Sequence, residues 1–170
     1  MDIGGIVETL IYIAPAMAAN GAPVVGSRIL YGPGHPIDMG LTLPDGRRLL
    51  GDGKTFEGFI FGMTIGIAAG LLLLALLDKP PITASILSSA GALAGDIIGS
   101  FIKRRMGLER GVQAPLLDQL DFYIGALAML WLAGYRFDPA SIIIVALVIL
   151  VLHVATNRLA YLLGLKSVPW

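Results

Sequence analysis

Cysteine is missing from this 170-residue chain, and charge is scarce: only 14% of its residues are Asp, Glu, Lys or Arg. Without cysteine the chain builds no disulfide and no thiolate metal centre, and the redox state of its compartment leaves no mark on it. Histidine is nearly absent too, with two residues, His35 and His153, too far apart in sequence to suggest a clustered zinc site. Low charge together with 56% hydrophobic residues excludes an ordinary soluble domain. The mean hydropathy of +0.81 makes the bilayer the solvent. No nucleic-acid partner is expected.

What is present is a set of apolar runs. A spanning helix needs about 20 mostly apolar residues, and five segments qualify, at about 5–19, 56–77, 82–103, 117–137 and 139–162. The chain reads as one all-α, polytopic membrane domain over residues 1–170 with five transmembrane helices and cytosolic loops. Met1-Asp2 supplies no basic n-region and no small-residue cleavage pattern follows, so the first segment is expected to be retained.

A net charge of zero hides a lopsided molecule. Basic residues flanking short loops tend to stay cytoplasmic. With the N-terminus outside, Arg28, Arg47, Arg48, Lys54, Lys103, Arg104, Arg105, Arg110, Arg158 and Lys166 fall inside, and only Lys79 and Arg136 fall outside. The C-terminus and the candidate site then face the cytosol, and the cationic side suits phosphates or anionic headgroups. Two glycine stripes, Gly58, Gly62, Gly66, Gly70 and Gly91, Gly95, Gly99, predict close helix packing and place Asp96 beside the second segment. The stretch 20–56, rich in Gly and Pro, predicts irregular chain with tight turns.

Acid and base stand where hydrocarbon is expected. An ionised side chain at the centre of a spanning helix costs roughly 2.5–3.5 kcal/mol on insertion scales and so marks function. On a helix, Asp96, Ser100, Lys103 and Arg104 form one polar stripe, at i, i+4, i+7 and i+8. The plainer reading of that stripe is an internal ion pair ending in snorkelling cations. Asp118 and Asp121, at i and i+3, share a face near the start of the fourth segment. Paired carboxylates repel unless a cation lies between them. Hard oxygen ligands suit Mg²⁺, so Asp96, Asp118 and Asp121 are the expected metal-phosphate acids, with helix-terminal charge as the alternative.

Gly51-Asp52-Gly53-Lys54-Thr55 lacks the glycine that a Walker loop needs at Arg48, and an apolar helix follows it. Its backbone N–H groups and Lys54, Arg47 and Arg48 still suit an anion, as they also suit a solvated basic patch. His153, Asn157 and Tyr161 form a polar stripe on the fifth segment and are expected to build a supporting wall. Asn20, at the end of the first segment, is either a helix-terminal group or a substrate contact. Intramembrane carboxylates also line ion paths, which keeps a small transporter or channel as the alternative. Clustering of the polar groups at one side and the lack of two-half symmetry argue against it.

Ser100-x-x-Lys103-Arg104 followed by Asp118-Gln119-Leu120-Asp121 resembles the signature of the CTP-dependent phosphatidate cytidylyltransferase superfamily. Gln119 replaces that signature's arginine, and the His-Gly-Gly loop of the bacterial enzymes is missing. Across its length the chain resembles more closely the small archaeal CDP-archaeol synthase branch. That likeness runs through Ala19-Asn20-Gly21-Ala22-Pro23, Asp38-x-Gly40, Asp45-Gly46-Arg47-Arg48, Gly51-Asp52-Gly53-Lys54-Thr55 and Pro169-Trp170. The resemblance implies a membrane enzyme that moves CMP from CTP to the isoprenoid glycerol phosphate lipid 2,3-di-O-geranylgeranylglyceryl phosphate, with Mg²⁺ as cofactor and pyrophosphate as by-product. It implies catalytic roles for Asp96, Asp118, Asp121 and Lys103. Substrate contacts are expected from Asn20, Arg47, Arg48, Lys54, Ser100 and Arg104.

Overall fold

The computed structural model describes residues 3–169; Met1-Asp2, with the n-region reading, and Trp170, from the closing Pro169-Trp170 match, lie outside the described residues. The chain forms five helices, α1 (Ile3–Ile29), α2 (Phe56–Leu77), α3 (Ile82–Arg105), α4 (Leu117–Leu132) and α5 (Pro139–Leu162). Among the described residues β pairing is limited to the isolated bridges Pro36 with Thr55 and Thr42 with Arg48. α1, α2, α3 and α5 are long and apolar enough to cross a membrane. α4, with 16 residues, spans about 24 Å against roughly 30 Å of hydrocarbon.

The helix limits follow local chemistry. Thr55 caps α2 by accepting the Gly58 N–H at 3.1 Å, and Asp138 caps α5 by accepting the Ser141 N–H at 2.9 Å, with Pro139 opening the helix. Gly134, at φ 94°, ends α4 short of the expected residue 137. The larger correction is α1, which runs to Ile29 instead of stopping near residue 19 and carries Pro15 and Pro23 inside it. In a bilayer helix, neighbouring helices can meet the backbone groups that proline leaves unpaired. The Ala19 carbonyl, which loses its donor to Pro23, lies against Gly62 of α2. Asn20 is therefore a mid-helix residue, and the connecting loop shortens to 30–55.

Small residues set the helix packing, and they correct a second expectation. The α2 stripe receives α1 and α3: a Cβ on Gly62 would approach the Ala19 carbonyl to 2.8 Å, and one on Gly66 would overlap Ser89. The α3 stripe, in contrast, faces α4, because added Cβ atoms on Gly91 and Gly95 would strike backbone atoms of Gly125 and Asp121. Ser85, Ser89 and Leu93, on another face of α3, meet α2 instead. The α3–α4 contact brings the acids of both helices together, while Asp96 itself stands beside the start of α2 as expected, paired with Lys54.

Successive loops lie at alternate ends. Lys79, between α2 and α3, pairs with Glu8 near the start of α1 at 3.3 Å. Tyr135 and Phe137, between α4 and α5, stack on Tyr12 of α1 with ring centroids 5.5 Å apart. Tyr12 lies nine residues inside α1, so the α4–α5 turn sits about 14 Å along α1 from its start. At the other end Arg28 Nε donates to the Leu165 carbonyl at 3.2 Å. That end carries ten of the twelve basic residues.

The loop over this basic end is organised around Asp38, whose side chain is fully buried. Its carboxylate accepts Arg48 Nη2 at 2.7 Å and the N–H groups of Leu50, Gly51 and Gly40 at 2.9, 2.8 and 3.2 Å. Burial pushes the Asp38 carboxyl up, but the Arg48 guanidinium and the three backbone donors outweigh it and hold the group well below the usual carboxylate range. A depressed carboxylate stabilises the folded loop at every pH above its unfolded value near 4, and that contribution fades as pH falls through the lower folded value. Protease resistance of the loop should therefore persist below pH 4. Asp38→Asn should raise the cleavage rate at neutral pH by about tenfold or more; unchanged cleavage would remove Asp38 from this role.

Candidate active site

The basic end opens into a cavity of about 790 Å³ lined by all five helices, the loop 30–55 and the C-terminal residues. Two lysine–carboxylate pairs line it. Lys54, just before α2, donates its Nζ to Asp96 of α3, and Lys103 of α3 donates to Asp118 of α4 at 2.5 Å. Both pairs are largely buried, with the side chains of Lys103 and Asp118 only 17% and 21% exposed. Partly shielded charges interact far more strongly than surface ones.

Local structure fixes Asp118. Leu116 adopts φ 66°, rare for a branched residue and therefore strained. Around it, Asp118 Oδ2 accepts the Ala114 N–H at 2.7 Å, and Gln119 Oε1 accepts the Leu116 N–H at 3.1 Å. Gln119, which replaces the superfamily arginine, thus serves as a helix-start cap. Asp121 sits one turn further in, buried, with Oδ1 accepting the Phe122 N–H at 2.7 Å. A Cβ at Gly99 would overlap the Asp121 carboxylate, so only glycine leaves room for it. Its charged neighbours are Asp96, Lys54 and Lys103.

The expected site residues divide into groups. Asn20, Lys54, Asp96, Lys103 and Asp118 line the cavity. Asp121 lies just behind the surface, and Ser100 is buried in α3 outside the lining. Arg47, Arg48 and Arg104 are not in the cavity; they line a neighbouring pocket of about 300 Å³. Arg48 is already held by Asp38 and by Asp52 at 2.9 Å. Arg47 Nη1 donates to the Arg105 carbonyl at 2.6 Å, and Arg105 pairs with Asp45, so these residues clamp the loop to the end of α3.

His153 and Asn157 do form a wall of the cavity, whereas Tyr161 lies outside it, 45% exposed. The sequence reading missed Arg28, Arg110 and Lys166 as cavity residues. Only the charge asymmetry pointed to them. Lys166, past the end of α5, folds back to donate to Asn157 Oδ1 at 3.0 Å, and burial pushes its ammonium down from the ordinary lysine value.

Among the described residues no three His, Asp or Glu side chains close around a metal position. Asp96 and Asp118 each face a lysine, and Asp121 stands behind them. This donor set fits an ion held by one or two carboxylates whose shell is completed by waters and substrate oxygens, the usual mode of Mg²⁺.

Residues 3–170 match the CDP-archaeol synthase family, CarS-like. This chain belongs to the CDP-archaeol synthase family. It is accordingly an enzyme of the cytidylyltransferase class, set in a membrane. Among members of the family, the CDP-archaeol synthase of Aeropyrum pernix is 53% identical over 171 residues, covering 99% of this chain and 94% of that protein. The CDP-archaeol synthase of Sulfolobus acidocaldarius is 45% identical over 167 residues, covering 98% and 99%. A solved structure described as "Structural insight into an intramembrane enzyme for archaeal membrane lipids biosynthesis" aligns with a TM-score of 0.82 at 50% identity, covering 89% of this chain and 94% of that one.

Proposed function

We propose that this family member transfers CMP from CTP to an isoprenoid ether lipid phosphate, 2,3-di-O-geranylgeranylglyceryl phosphate, giving CDP-archaeol and pyrophosphate at the cytosolic face of the membrane. The observation that carries this reading is the cavity in which Lys54–Asp96 and Lys103–Asp118 meet at the basic ends of membrane helices. A lipid phosphate monoester has its second pKa near 6 and is largely dianionic at neutral pH. Its oxygen attacks the α-phosphorus of CTP; the P–O bond to the β-phosphate breaks, and the electron pair leaves with pyrophosphate. No general base is needed.

The barrier is repulsion between a dianion and a polyanion, and alignment of the two. Lys54 and Lys103 supply positive charge at fixed positions, Lys166 and Arg110 add more at the rim, and Asp96 and Asp118 hold the lysines in place. Asp96, Asp118 and Asp121 are the residues that would hold Mg²⁺, which when bound neutralises phosphate charge and orients the triphosphate. Asn20 offers an uncharged polar contact in the same cavity.

Purified protein incubated with CTP, Mg²⁺ and the isoprenoid ether phosphate should form CDP-lipid and pyrophosphate in equal amounts; failure with both ether and ester lipid phosphates would reject the reading. Lys103→Ala should lower kcat/KM by about 10²-fold, and Lys103→Arg, which keeps a cation beside Asp118, should lose less of the thermal stability than the alanine variant. Sidedness is tested in the cysteine-free background. Leu41→Cys and Met106→Cys, both exposed at the basic end, should resist an impermeant thiol reagent in intact cells, and Lys79→Cys should react. The reverse pattern would place the cavity outside.

A further inference from the structure

Three consecutive cations end α3, and two of them are matched by acids. Lys103 holds Asp118, and Arg105 gives its two Nη groups to Asp45 and to the carbonyls of Arg47 and Arg48. Arg104, between them, has no acid. Among the described residues its guanidinium makes no ion pair, and its Nε is buried without a hydrogen-bond partner. The Arg105 Nε is orphaned too, but the rest of that guanidinium is engaged. Buried polar groups of folded proteins almost always have a partner. A cation at a helix C-terminus complements the helix dipole and commonly keeps its head in water. That accounts for the charge of Arg104, but not for a half-buried side chain with an orphaned donor.

Arg104 lines the pocket of about 300 Å³ together with Arg47, Arg48 and Arg110. Arg48 is matched there by Asp38 and Asp52, Arg47 donates to a carbonyl, and Arg110 has no ion pair among the described residues. One acid in the lining, the exposed Glu109, stands against them. Glycines border the three guanidiniums that lack a carboxylate. An added Cβ would lie 3.7 Å from Arg104 Nη1 at Gly51, 3.7 Å from Arg110 Nε at Gly53 and 3.0 Å from Arg47 Nη2 at Gly107. No side chain at those three places covers the cations. Arg110 also lines the reaction cavity, so the two spaces adjoin, whereas Arg47, Arg48 and Arg104 stay outside it.

We propose that this arginine pocket is a second anion site, outside the reaction cavity, for a phosphate group presented at the basic end of the molecule by free pyrophosphate or by the headgroup of an anionic phospholipid. The inference goes beyond the reaction proposed above, no bond-making step of which uses the pocket. Planar guanidinium forks pair with phosphate oxygens two at a time. A phosphate offers charged oxygens in tetrahedral directions, where a carboxylate offers two in one plane, so three guanidiniums around one space suit the phosphate better. Its charge offsets the excess of cations, and its oxygens give Arg104 the acceptor that the protein does not. Both sources are at hand, since pyrophosphate would be released in the adjoining cavity and lipid headgroups lie at the level where α3 ends.

The test uses the full chain in nanodiscs. Zwitterionic discs are titrated with pyrophosphate, and discs doped with phosphatidylglycerol are assayed for retained lipid by native mass spectrometry, each with and without saturating CTP and Mg²⁺. At least one of the two anions should bind whether or not CTP occupies the cavity, and the arm that responds names the source. Arg104→Gln, which removes the charge and keeps a polar side chain, should weaken that binding by about tenfold or more at an unchanged melting temperature, and Arg104→Lys should weaken it less. A second measurement needs no variant: the bound anion should shield Arg104 of the unaltered protein from an arginine-specific dicarbonyl reagent, read by peptide mass spectrometry. Absence of binding by both anions, equal affinity in Arg104→Gln, or an unshielded Arg104 would overturn the site. So would loss of binding on adding CTP, since the pocket would then belong to the nucleotide. Absence of CMP transfer by the unaltered protein would sink the proposed reaction alone, because the anion titrations are also run without CTP.

Discussion

Asp96→Asn, Asp118→Asn and Asp121→Asn should each lower CMP transfer by about 10²–10³-fold, the scale expected when a group that stabilises transition-state charge is lost. The three losses have different physical routes. Asp96→Asn and Asp118→Asn remove the charged partners of Lys54 and Lys103, freeing each ammonium to leave its place in the cavity. Asparagine at 118 can still accept the Ala114 N–H through its amide oxygen, so the strained turn at Leu116 is retained. Asp121→Asn is the most informative, because the carboxylate is buried behind Gly99 with one backbone donor and no direct ion pair among the described contacts. Lost activity in that variant at an unchanged melting temperature reports on chemistry. Near-normal turnover in two of the three variants, measured beside their melting temperatures, would dismiss the acids as the reactive set.

The second large effect is structural. Gly95→Val should lower the melting temperature by roughly 2–12 °C, the shift expected from overpacking worth about 1–3 kcal/mol in a chain of this length. A Cβ at Gly95 overlaps the Asp121 carbonyl, a backbone atom that no rotamer change can move, and Gly125 lies beside it. α4 must shift as a body, carrying Asp118 and Asp121 away from Asp96, so activity should fall with stability. Ala94→Val, one residue earlier and exposed, puts the same side chain on the same helix and should change neither. Equal behaviour of the two variants in a thermal melt and an activity assay would mean that the glycine contact does not position the site.

Much of this fold was legible in the sequence because the bilayer allows few solutions. The limits of α2, α3 and α5 lie within about two residues of their apolar runs, as caps and prolines at Thr55, Pro81 and Asp138-Pro139 predict. α1 was misread because Pro15, Gly21 and Pro23 break helices in water, where no neighbour satisfies the freed carbonyls; here α2 packs its glycines against them. The helical stripe of Asp96 and Lys103 was visible from spacing, and so was the basic face. The pairing of each acid with its lysine was not, since Lys54–Asp96 joins residues 42 apart and Lys103–Asp118 crosses from one helix to another. Arg47 and Arg48 carry partners that charge alone did not reveal: tertiary structure pairs Arg48 with Asp38 and Asp52, and Arg47 with the end of α3. Lys166 was invisible as a site residue because a C-terminal segment that folds back leaves no periodic signature.

The central claim is that this lysine–carboxylate cavity joins CMP to a lipid phosphate, and following the phosphorus atoms of CTP tests it most directly. With α-labelled CTP, Mg²⁺ and the isoprenoid ether phosphate, the label should appear in the lipid fraction; with γ-labelled CTP it should appear only in pyrophosphate, and both transfers should vanish together in Asp121→Asn. Label in orthophosphate or CMP without labelled lipid, or ion flux through reconstituted vesicles in place of either product, would contradict the account.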